Sequence, residues 1–330
     1  MIYVKPDFFD KFKCICGKCT DNCCIGWEID IDDFTYDDYC AMETNFAQKI
    51  KDNIIISPDG SRCFKLKEND RCPFLNKDNL CDIIVNCGEE ALCDICREHP
   101  RFYEWFPGVT ECGLGLSCEE VCRILLEADS FFQLTEYNDG EEIELLTKDE
   151  VVESDMYVMT AALRMSFLEI LSEPALPVED KIVKILEKTQ SFTGKSIKLK
   201  NDRRLIAAYE ETEPIDSAWT EFLNRLKSAL ADLADMDALL SDKQSDKLYS
   251  RVLGYIIYRH FIKAAFDRSF AQRVVFCVEA LRFIMLSDAL TLKENGELTI
   301  RSRINSIKNW SKQIEYSDEN TELLIYGDVL

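Results

Sequence analysis

The sequence predicts a mainly α-helical protein with a loop-rich, cysteine-cluster N-terminal domain that binds metal and contains short strands. All but one of the 16 cysteines precede residue 123, and the exception is Cys277. Beyond residue 150, apolar residues recur at helical spacing over long segments. An acidic, glycine-containing stretch separates the two regions. We therefore predict a cysteine-rich metal or iron–sulfur domain at residues 1–126, an acidic linker at 127–150 and an α-helical domain at 151–330.

The densest cysteine segment, residues 12–27, reads FKCICGKCTDNCCIGW and is named here the cysteine loop. Gly17 and Gly26 lie among its thiols. We expect both glycines to supply the positive φ that a backbone folding tightly around a metal requires. Residues 1–13 are predicted to be a short lead-in to this loop.

Short strands are predicted in the rest of the N-terminal domain. Residues 54–60 indicate a strand that enters a Pro-Asp-Gly turn, and residues 63–67 its hairpin partner. A second hairpin is indicated between residues 72–75 and 80–81, with residues 76–79 at its tip.

Capping residues and apolar periodicity predict the helices. Thr35 or Asp33 is expected to cap a short helix that continues through Met42. Ser117 is expected to cap a helix with Glu120 completing a capping box. In the C-terminal domain, the periodicity predicts helices over residues 155–171, 178–189, 219–240, 247–289 and 298–314.

Composition limits the classes of partner. The chain has 330 residues, 47% of them hydrophobic, and a formal net charge of -22. A chain this acidic is a poor non-specific nucleic-acid binder, because phosphate contacts need Lys and Arg. We expect no nucleic acid and instead basic partners such as exposed lysines. The alternative is that the charge only keeps the surface solvated.

Nothing in the sequence indicates export or a membrane. The opening residues, MIYVKPDFFDKF, lack the apolar run of a signal peptide. No stretch approaches the roughly 18 apolar residues of a membrane span. We therefore expect a cytoplasmic protein without membrane contact, in which thiols stay reduced. In that compartment a dense cysteine array indicates a metal site more than a disulfide framework.

The cysteines alone leave three interpretations open. Four thiolates complete a tetrahedral zinc site or hold an iron–sulfur cluster, and disulfides or inert thiols are the third possibility. Candidate ligands come from the cysteine loop and, further along the chain, from Cys72, Cys81, Cys93, Cys96, Cys112 and Cys118. Cys93 and Cys96 form a CxxC pair, a spacing shared with redox proteins. The bystanders, expected to be small buried hydrophobic side chains, are Cys40, Cys63, Cys87, Cys122 and Cys277.

Other catalytic chemistry has little support. The only histidines are His99 and His260, too few for a histidine-rich metal site, and His260 is expected to pack within a helical core. There is no Walker motif and no Cys-x3-Cys-x2-Cys spacing of the common radical S-adenosylmethionine (SAM) enzymes. A Rossmann-type methyltransferase is equally unsupported, because no glycine-rich loop stands in a βαβ context.

Several motifs occur in a distinctive order: the cysteine loop, Cys72-Pro-Phe-Leu75, Leu80-Cys81, Cys96-Arg-Glu-His-Pro-Arg101 and Leu116-Ser-Cys118. This order resembles the flagellin lysine-N-methylase family, part of a wider group of cysteine-cluster proteins. The resemblance is close over residues 12–118 and looser over the rest. It implies SAM-dependent methyl transfer to lysines of flagellin or a similar surface protein, and an iron–sulfur cluster of the 4Fe–4S type, with zinc as the alternative metal.

Carried over by position, the family's cysteines match Cys14, Cys19, Cys23, Cys24, Cys72, Cys81, Cys96 and Cys118. These exceed the four that one cluster needs, so either there are two sites or some of the matched cysteines are structural. The chain departs from the family pattern at Cys16, an extra thiol in the loop, and at Glu119, where the family often has proline. The ligand assignment within the loop therefore stays open.

The resemblance also suggests cofactor-binding residues. Arg101 is a candidate to hold a SAM carboxylate bidentately; the alternative is pairing with a neighbouring glutamate. Trp27, with Tyr103 and Trp105, is a candidate lining for the sulfonium or the lysine cation; the alternative is core packing. No residue is singled out as the base that deprotonates the lysine. The rival functions are a non-enzymatic iron–sulfur or zinc module, structural or redox-sensing, and an electron-transfer protein.

Overall fold

The computed structural model describes residues 1–140, 147–233, 240 and 242–327, and these form two compact units. The cysteine unit comprises Phe12–Phe102 and Cys118–Glu120. The helical unit comprises Met1–Lys11, Tyr103–Ser117 and Val121–Leu330. These bounds differ from the predicted ranges 1–126 and 151–330, which remain a proposal about parts that fold separately.

The chain is mainly helical, with the short strands concentrated in its N-terminal part. The strands are β1 (Ile2–Pro6), β2 (Ile54–Ile56), β3 (Arg62–Phe64), β4 (Arg101–Phe106), β5 (Val109–Leu114) and β6 (Leu134–Asn138). The α-helices are α1 (Asp33–Ala41), α2 (Asn45–Lys51), α3 (Asp82–Cys87), α4 (Asp94–Glu98), α5 (Glu119–Glu127), α6 (Lys148–Ser172), α7 (Val178–Thr193), α8 (Asp202–Glu210), α9 (Ser217–Leu233), α10 (Lys243–Phe261), α11 (Ala264–Asp267), α12 (Phe270–Asn295), α13 (Ile300–Ile314) and α14 (Asp318–Tyr326).

The cysteine unit is built from hairpins and short helices around an aromatic core. Strands β2 and β3 pair antiparallel, which confirms the first predicted hairpin. The second is reduced to a single bridge between Leu75 and Cys81, closed by a hydrogen bond from the Asn76 N–H to the Leu80 carbonyl (3.0 Å). The core contains Phe64 and Phe74, whose rings meet edge to face at 4.9 Å.

Both predicted helix caps are wrong in detail. Helix α1 is capped by Asp32, whose carboxylate accepts the Thr35 N–H at 2.9 Å; neither Thr35 nor Asp33 is the cap. Helix α5 begins at Glu119. The Ser117 hydroxyl is buried without a hydrogen-bond partner among the described residues, so it does not accept a helix N–H. For α1, the predicted cap was displaced by one or more residues from Asp32, the residue whose side chain turns back onto the helix.

Residues 1–13 are not only a lead-in, because they contain a strand within a sheet. The sheet has the order β4-β5-β1-β6, and β1 runs parallel to β5 and antiparallel to β6. Strand β6 lies inside the range 127–150 that was predicted as a linker, and residues 141–146 of that range lie outside the described residues. The β1 partners are more than 100 residues away along the chain, so no turn signal marks the pairing.

The helical unit has its core on α10 and α12, whose side chains are buried on nearly every face. The Tyr258 hydroxyl of α10 lies 3.1 Å from the Val4 carbonyl oxygen and 2.8 Å from that of Cys112, which fixes β1 and β5 on the helix. Beside it, the Arg164 guanidinium donates to both carboxylate oxygens of Glu111 at 2.6 and 2.7 Å. Buried polar groups of this kind are stable only when paired.

The helix predictions are confirmed in type and partly in extent. Predicted segments 155–171, 178–189 and 298–314 lie in or along α6, α7 and α13. Segment 219–240 is helical to Leu233, and residues 234–239 lie outside the described residues. Segment 247–289 is broken into three helices, because Arg268 takes a left-handed conformation with φ 58. No helix in the described part of the chain is long and apolar enough to span a membrane.

Candidate metal centre

The cysteine unit contains every cysteine that matches the family pattern. Burial distinguishes an inner and an outer set of cysteines, which meet where the side chains of Cys23 and Cys24 share a hydrogen bond. The inner group comprises Cys24, Cys72, Cys81, Cys93 and Cys96. The outer group comprises Cys14, Cys19, Cys23 and Cys118. Of these nine cysteines, only Cys93 had not been matched to the family pattern. Its CxxC spacing with Cys96 could have identified it as a candidate ligand.

Backbone contacts hold the inner group together. The Cys72 N–H donates to the Cys24 carbonyl at 2.9 Å, and the Cys96 N–H donates to the Cys93 carbonyl at 3.0 Å. Cys81 forms an antiparallel backbone bridge with Leu75, and Leu75 lies three residues after Cys72. All five side chains pack on the aromatic core, and Cys72 and Cys93 are only 5% and 1% exposed. Thiols from four chain segments thus share one buried region.

The pKa shifts of the inner thiols show that they lie within electrostatic range of one another. Burial raises the pKa of Cys72 to about 11, with charge on Cys81 and Cys93 contributing, while the N–H groups of Phe74 and Leu75 act in the opposite direction. The pKa of Cys96 is raised by its hydrogen bond to Cys93, by burial and by charge on its neighbours. The same hydrogen bond lowers the pKa of Cys93. Such mutual repulsion is relieved when a cation binds, and binding then releases the protons.

The outer group lies in the exposed part of the unit. Thr20 donates its N–H and its hydroxyl to the Glu119 carboxylate at 2.9 and 2.6 Å, which holds the segment of Cys19 beside that of Cys118. Burial raises the pKa of Cys19 to about 12, followed by charge on Cys118 and Glu119. Glu119, the departure from the family pattern, is therefore a structural partner of the cysteine loop.

Within the cysteine loop the backbone conformation is set at three positions. Gly26 has φ +80, as predicted. The positive φ expected at Gly17 occurs instead at Cys16, with φ 51. Gly17 is required for a different reason: a Cβ there would lie 2.9 Å from the Asp78 carbonyl oxygen. The Cys16 N–H donates to the Cys14 sulfur at 3.3 Å, a contact typical of a thiolate acceptor.

Cysteine thiolates are suitable ligands for an iron–sulfur cluster or a zinc ion. The cysteine side chains of this unit are, however, not arranged around an ion. Among the described residues, no three Cys, His, Asp or Glu side chains form a metal-binding group. Burial raises the pKa of the Cys72, Cys81 and Cys14 thiols, and hydrogen bonds from backbone N–H groups partly oppose that rise at each of them. Donors of this type stabilise thiolates, the form that binds metal.

The bystander predictions have mixed outcomes. Cys122 and Cys277 are buried, and their thiols donate to the carbonyls of Leu116 and Ile256. Cys63 and Cys87 are half-buried. Cys40 is exposed, so the prediction of a buried hydrophobic side chain is wrong there, because helix α1 directs this position outwards. His260 is buried in the helical unit, 2.8 Å from Glu315, and burial lowers its pKa to about 4.

The candidate cofactor residues have defined surroundings. The Arg101 guanidinium lies over the Phe12 ring at 5.5 Å and donates weakly to the Arg97 carbonyl. Glu104, a predicted alternative partner of Arg101, pairs with Lys263 at 3.2 Å. Trp27 is half-buried in the cysteine unit. In the helical unit Tyr103 stacks on Trp105, which is 69% exposed, so core packing does not account for Trp105.

An acidic cavity in the cysteine unit was not predicted. It has a volume of about 450 Å³ and lies between helix α1 and the segment 87–97. Carboxylates and aromatic rings dominate its lining, which includes Asp32, Phe34, Asp38, Tyr39, Glu90 and Asp94. Phe34 is 86% exposed. The run DIDDFTYDD at residues 30–38 was the signal for it, although the fold was needed to bring Glu90 and Asp94 alongside.

Comparison with known proteins finds relatives in flagellar biology. "Flagellar biosynthetic protein FliU" of Salmonella muenchen is 33% identical over 132 residues, which are 38% of this chain and 78% of that protein. "Lysine-N-methylase" of Salmonella typhimurium and that of Salmonella choleraesuis are each 30% identical over 132 residues, again 38% of this chain. The match spans only 33% of these two methylases' own length. No family model and no solved structure matches the chain.

Proposed function

Because the chain belongs to the flagellin lysine-N-methylase family, we propose that it transfers methyl groups from SAM to lysine side chains of flagellin or a flagellin-like surface protein. The similarity to two proteins named lysine-N-methylase is the observation that carries this proposal. We further propose that an iron–sulfur cluster bound by the cysteine unit takes part.

The reaction sets clear demands on the protein. The lysine ε-amine has an ordinary pKa near 10.4 and must lose a proton before its lone pair can attack. The new N–C bond forms as the S–C bond of the sulfonium breaks, and S-adenosylhomocysteine leaves. A carboxylate or another base takes the proton lost from nitrogen. The protein must therefore bind a cationic side chain, orient SAM and provide a proton acceptor.

The acidic cavity is the best candidate in the described residues for receiving the lysine. Its carboxylates attract an ammonium group, and its exposed aromatic ring offers a surface for the apolar stem of the side chain. Asp32 is already engaged: burial opposes ionisation, but the N–H groups of Asp94 and Thr35 lower its pKa. Asp38, Glu90 and Asp94 are the lining acids on exposed positions. Asp94 forms an ion pair with Arg97, which also lines the cavity, so Asp38 and Glu90 are proposed to meet the substrate.

The remaining candidates would serve SAM. Arg101 is proposed to pair with the SAM carboxylate, a role that its fork of N–H donors allows. Trp27 is proposed to contact the sulfonium through its ring face. A bound iron–sulfur cluster with an open iron position would supply a site for the amino and carboxylate groups of SAM. The cysteine side chains would hold the metal, and the aromatic core on which Cys24, Cys72, Cys81, Cys93 and Cys96 pack would keep water away from it.

The proposal is tested by incubating anaerobically purified protein with SAM and flagellin from the same host. We expect intact-mass spectra to show flagellin gaining methyl increments at surface lysines, with an equal amount of S-adenosylhomocysteine formed. Heat-inactivated protein is the control. If protein that contains its metal neither binds SAM nor modifies any lysine of flagellin, the enzymatic proposal is wrong.

A second experiment tests the cavity. We expect Asp38→Asn together with Glu90→Gln to raise KM for flagellin severalfold with a smaller change in kcat, because these charges act on encounter and binding. The salt dependence of KM should weaken in the same variant. Asp37→Asn together with Glu43→Gln removes the same two charges at exposed positions outside the cavity lining and should leave KM unchanged. If KM for flagellin rose equally in both variants, the cause would be the lower net negative charge of the protein, and the cavity would not be the lysine-binding site.

A metal-binding module without enzymatic activity is the second candidate. It is favoured by the extent of the match, which covers about a third of the two methylases and leaves most of their length without a counterpart. In that case the protein would bind iron or zinc and bind flagellar proteins without consuming SAM. Calorimetric titration with SAM separates the two candidates before any turnover is measured.

A further inference from the structure

We infer that helix α6 binds a helical segment of a partner protein along its outward face, and that this segment carries lysine or arginine side chains. The face is named here the α6 seam and consists of Lys148, Val151, Asp155, Val158, Ala162, Met165 and Glu169. The inference goes beyond the proposed function and does not depend on methyl transfer.

The α6 seam lies opposite the side of the helix that packs into the helical unit. The buried side chains of α6 are Tyr157, Thr160, Leu163, Arg164, Phe167, Leu168 and Leu171. They recur every three or four residues and therefore occupy one side. The seam residues have the same spacing on the other side and are all exposed, with Val151, Val158 and Met165 at 46, 61 and 39%. The described part of the chain thus leaves this face open.

The spacing of the α6 seam is that of a helix–helix interface. From Lys148 to Glu169 its positions are separated by three and four residues in strict alternation. Apolar side chains in this alternation pack against a second helix as in a coiled coil. The solvent face of a surface helix is normally polar, whereas Val158, Ala162 and Met165 are consecutive apolar positions in the seam. The pattern therefore predicts a helical occupant.

Exposed apolar side chains also lie beside the seam. Met159, next to Val158, is 37% exposed. On the Tyr157 side of α6, Phe266 of α11 is 51% exposed, and its ring stacks on that of Phe106 at 4.8 Å. The Phe106 ring packs in turn on Tyr157 at 4.6 Å. A partner would therefore meet more than a single row of side chains, and apolar surface of this kind marks interaction sites.

The charges of the seam indicate which kind of helix fits. Asp155 and Glu169 are two heptads apart, which is about 21 Å along the helix axis. Besides the buried Arg164, the only cation of α6 is Lys148 at its first residue. A carboxylate enclosed between two helices is costly unless a cation lies opposite. The occupant should therefore carry lysine or arginine at two seam positions with the same separation.

A second copy of this chain does not meet that requirement. In a parallel pair of α6 helices, each seam acid lies opposite the same acid of the other copy. In an antiparallel pair, Lys148 of one copy approaches Glu169 of the other, but Asp155 lies opposite Met165. At least one carboxylate then has no cation, at a cost in free energy. A partner helix with two basic seam residues satisfies both acids.

The test measures peptide binding to the full-length protein by fluorescence anisotropy. Two labelled helical peptides, each about three heptads long, have leucine in the seam and either two lysines or two glutamates, placed two heptads apart. We expect the lysine peptide to bind about tenfold more tightly than the glutamate peptide. Asp155→Lys together with Glu169→Lys should reverse this preference, a result that partial unfolding cannot produce.

A matched pair of variants tests the apolar part of the seam. Val158→Asn should weaken binding of the lysine peptide about tenfold, because a polar amide replaces a seam side chain. Val183→Asn makes the same replacement on α7, at a position that is 50% exposed, and should leave binding unchanged. Equal weakening by both variants would contradict a contact at the seam.

The remaining outcomes are also decisive. Failure of wild type to bind either peptide, or an unchanged preference in the lysine double variant, would overturn the inference. A wild-type dimer in sedimentation velocity that Val158→Asn dissociates would overturn it in favour of a second copy. Selective binding of the lysine peptide by a protein that does not bind SAM would support the seam and contradict only the enzyme. Methylation of flagellin without peptide binding would do the reverse.

Discussion

Replacing Cys19 by serine is expected to abolish methyl transfer to flagellin. Cys19 belongs to the outer group, where it is half-buried and within electrostatic range of Cys118, Cys14 and Cys23. A serine hydroxyl is a far weaker ligand for iron or zinc than a thiolate. The outer group also lies in the exposed part of the cysteine unit, so under the proposed function a metal bound there would be accessible to SAM. The variant should lose iron and show only background methylation in intact-mass spectra.

Cys16→Ser is the matched control for this experiment. Cys16 lies in the same loop and is exposed, but its thiol donates to the Cys14 carbonyl and its N–H to the Cys14 sulfur. Serine preserves the backbone contact, so iron content and methylation should stay close to wild type. If Cys19→Ser lost iron yet methylated flagellin at the normal rate, the cluster would be structural and its proposed part in SAM binding would be wrong.

Neutralising Glu111 is expected to lower the free energy of unfolding by about 3–5 kcal/mol. Glu111 and Arg164 are 2% and 1% exposed at their side chains and are joined by two hydrogen bonds. Glu111→Gln keeps the volume but leaves the Arg164 charge buried without its counter-ion. Tyr157, which donates to Glu111 at 2.8 Å, would lose a charged acceptor as well. Urea unfolding followed by circular dichroism measures the change.

An exposed pair of the same residue types supplies the control. Arg225 donates to both oxygens of Glu294 at 3.1 and 3.0 Å, with side chains 57% and 37% exposed. Glu294→Gln should cost less than about 1 kcal/mol, because solvent screens the pair. A Glu111→Gln effect no larger than that of Glu294→Gln would show that the buried pair does not hold the sheet and α6 together.

The helices were the most predictable part of the fold, because their signal is local. The apolar positions of α6, α7 and α13 recur every three or four residues and need no distant partner. The break between α10 and α12 was not predictable in this way, since no proline marks it. It depends on Asp267, which accepts the Ser269 N–H at 2.8 Å and forms an ion pair with Arg273. Such contacts appear only once the helices are packed.

For the candidate metal centre, the sequence indicated the residue types but not their grouping. Cysteine density marked the cysteine loop, and the family resemblance selected eight thiols. The role of Glu119 and the inclusion of Cys93 became visible only from the fold, because each depends on a segment distant in the chain. Arg101 is a second example: the sequence offered nearby glutamates as partners, whereas its contact with the Phe12 ring depends on a residue 89 positions earlier and became visible only from the fold.

The position of β1 in the chain has a consequence for biosynthesis. Strand β1 is made first, but its partners β5 and β6 begin at Val109 and Leu134, after almost the whole cysteine unit has been synthesised. Domains generally fold in the order in which they leave the ribosome. The inner thiols are therefore all present while β1 still lacks a neighbour. Under the proposed function, metal could therefore be delivered before the sheet closes, and a nascent chain without iron would reach that step with its thiols unprotected.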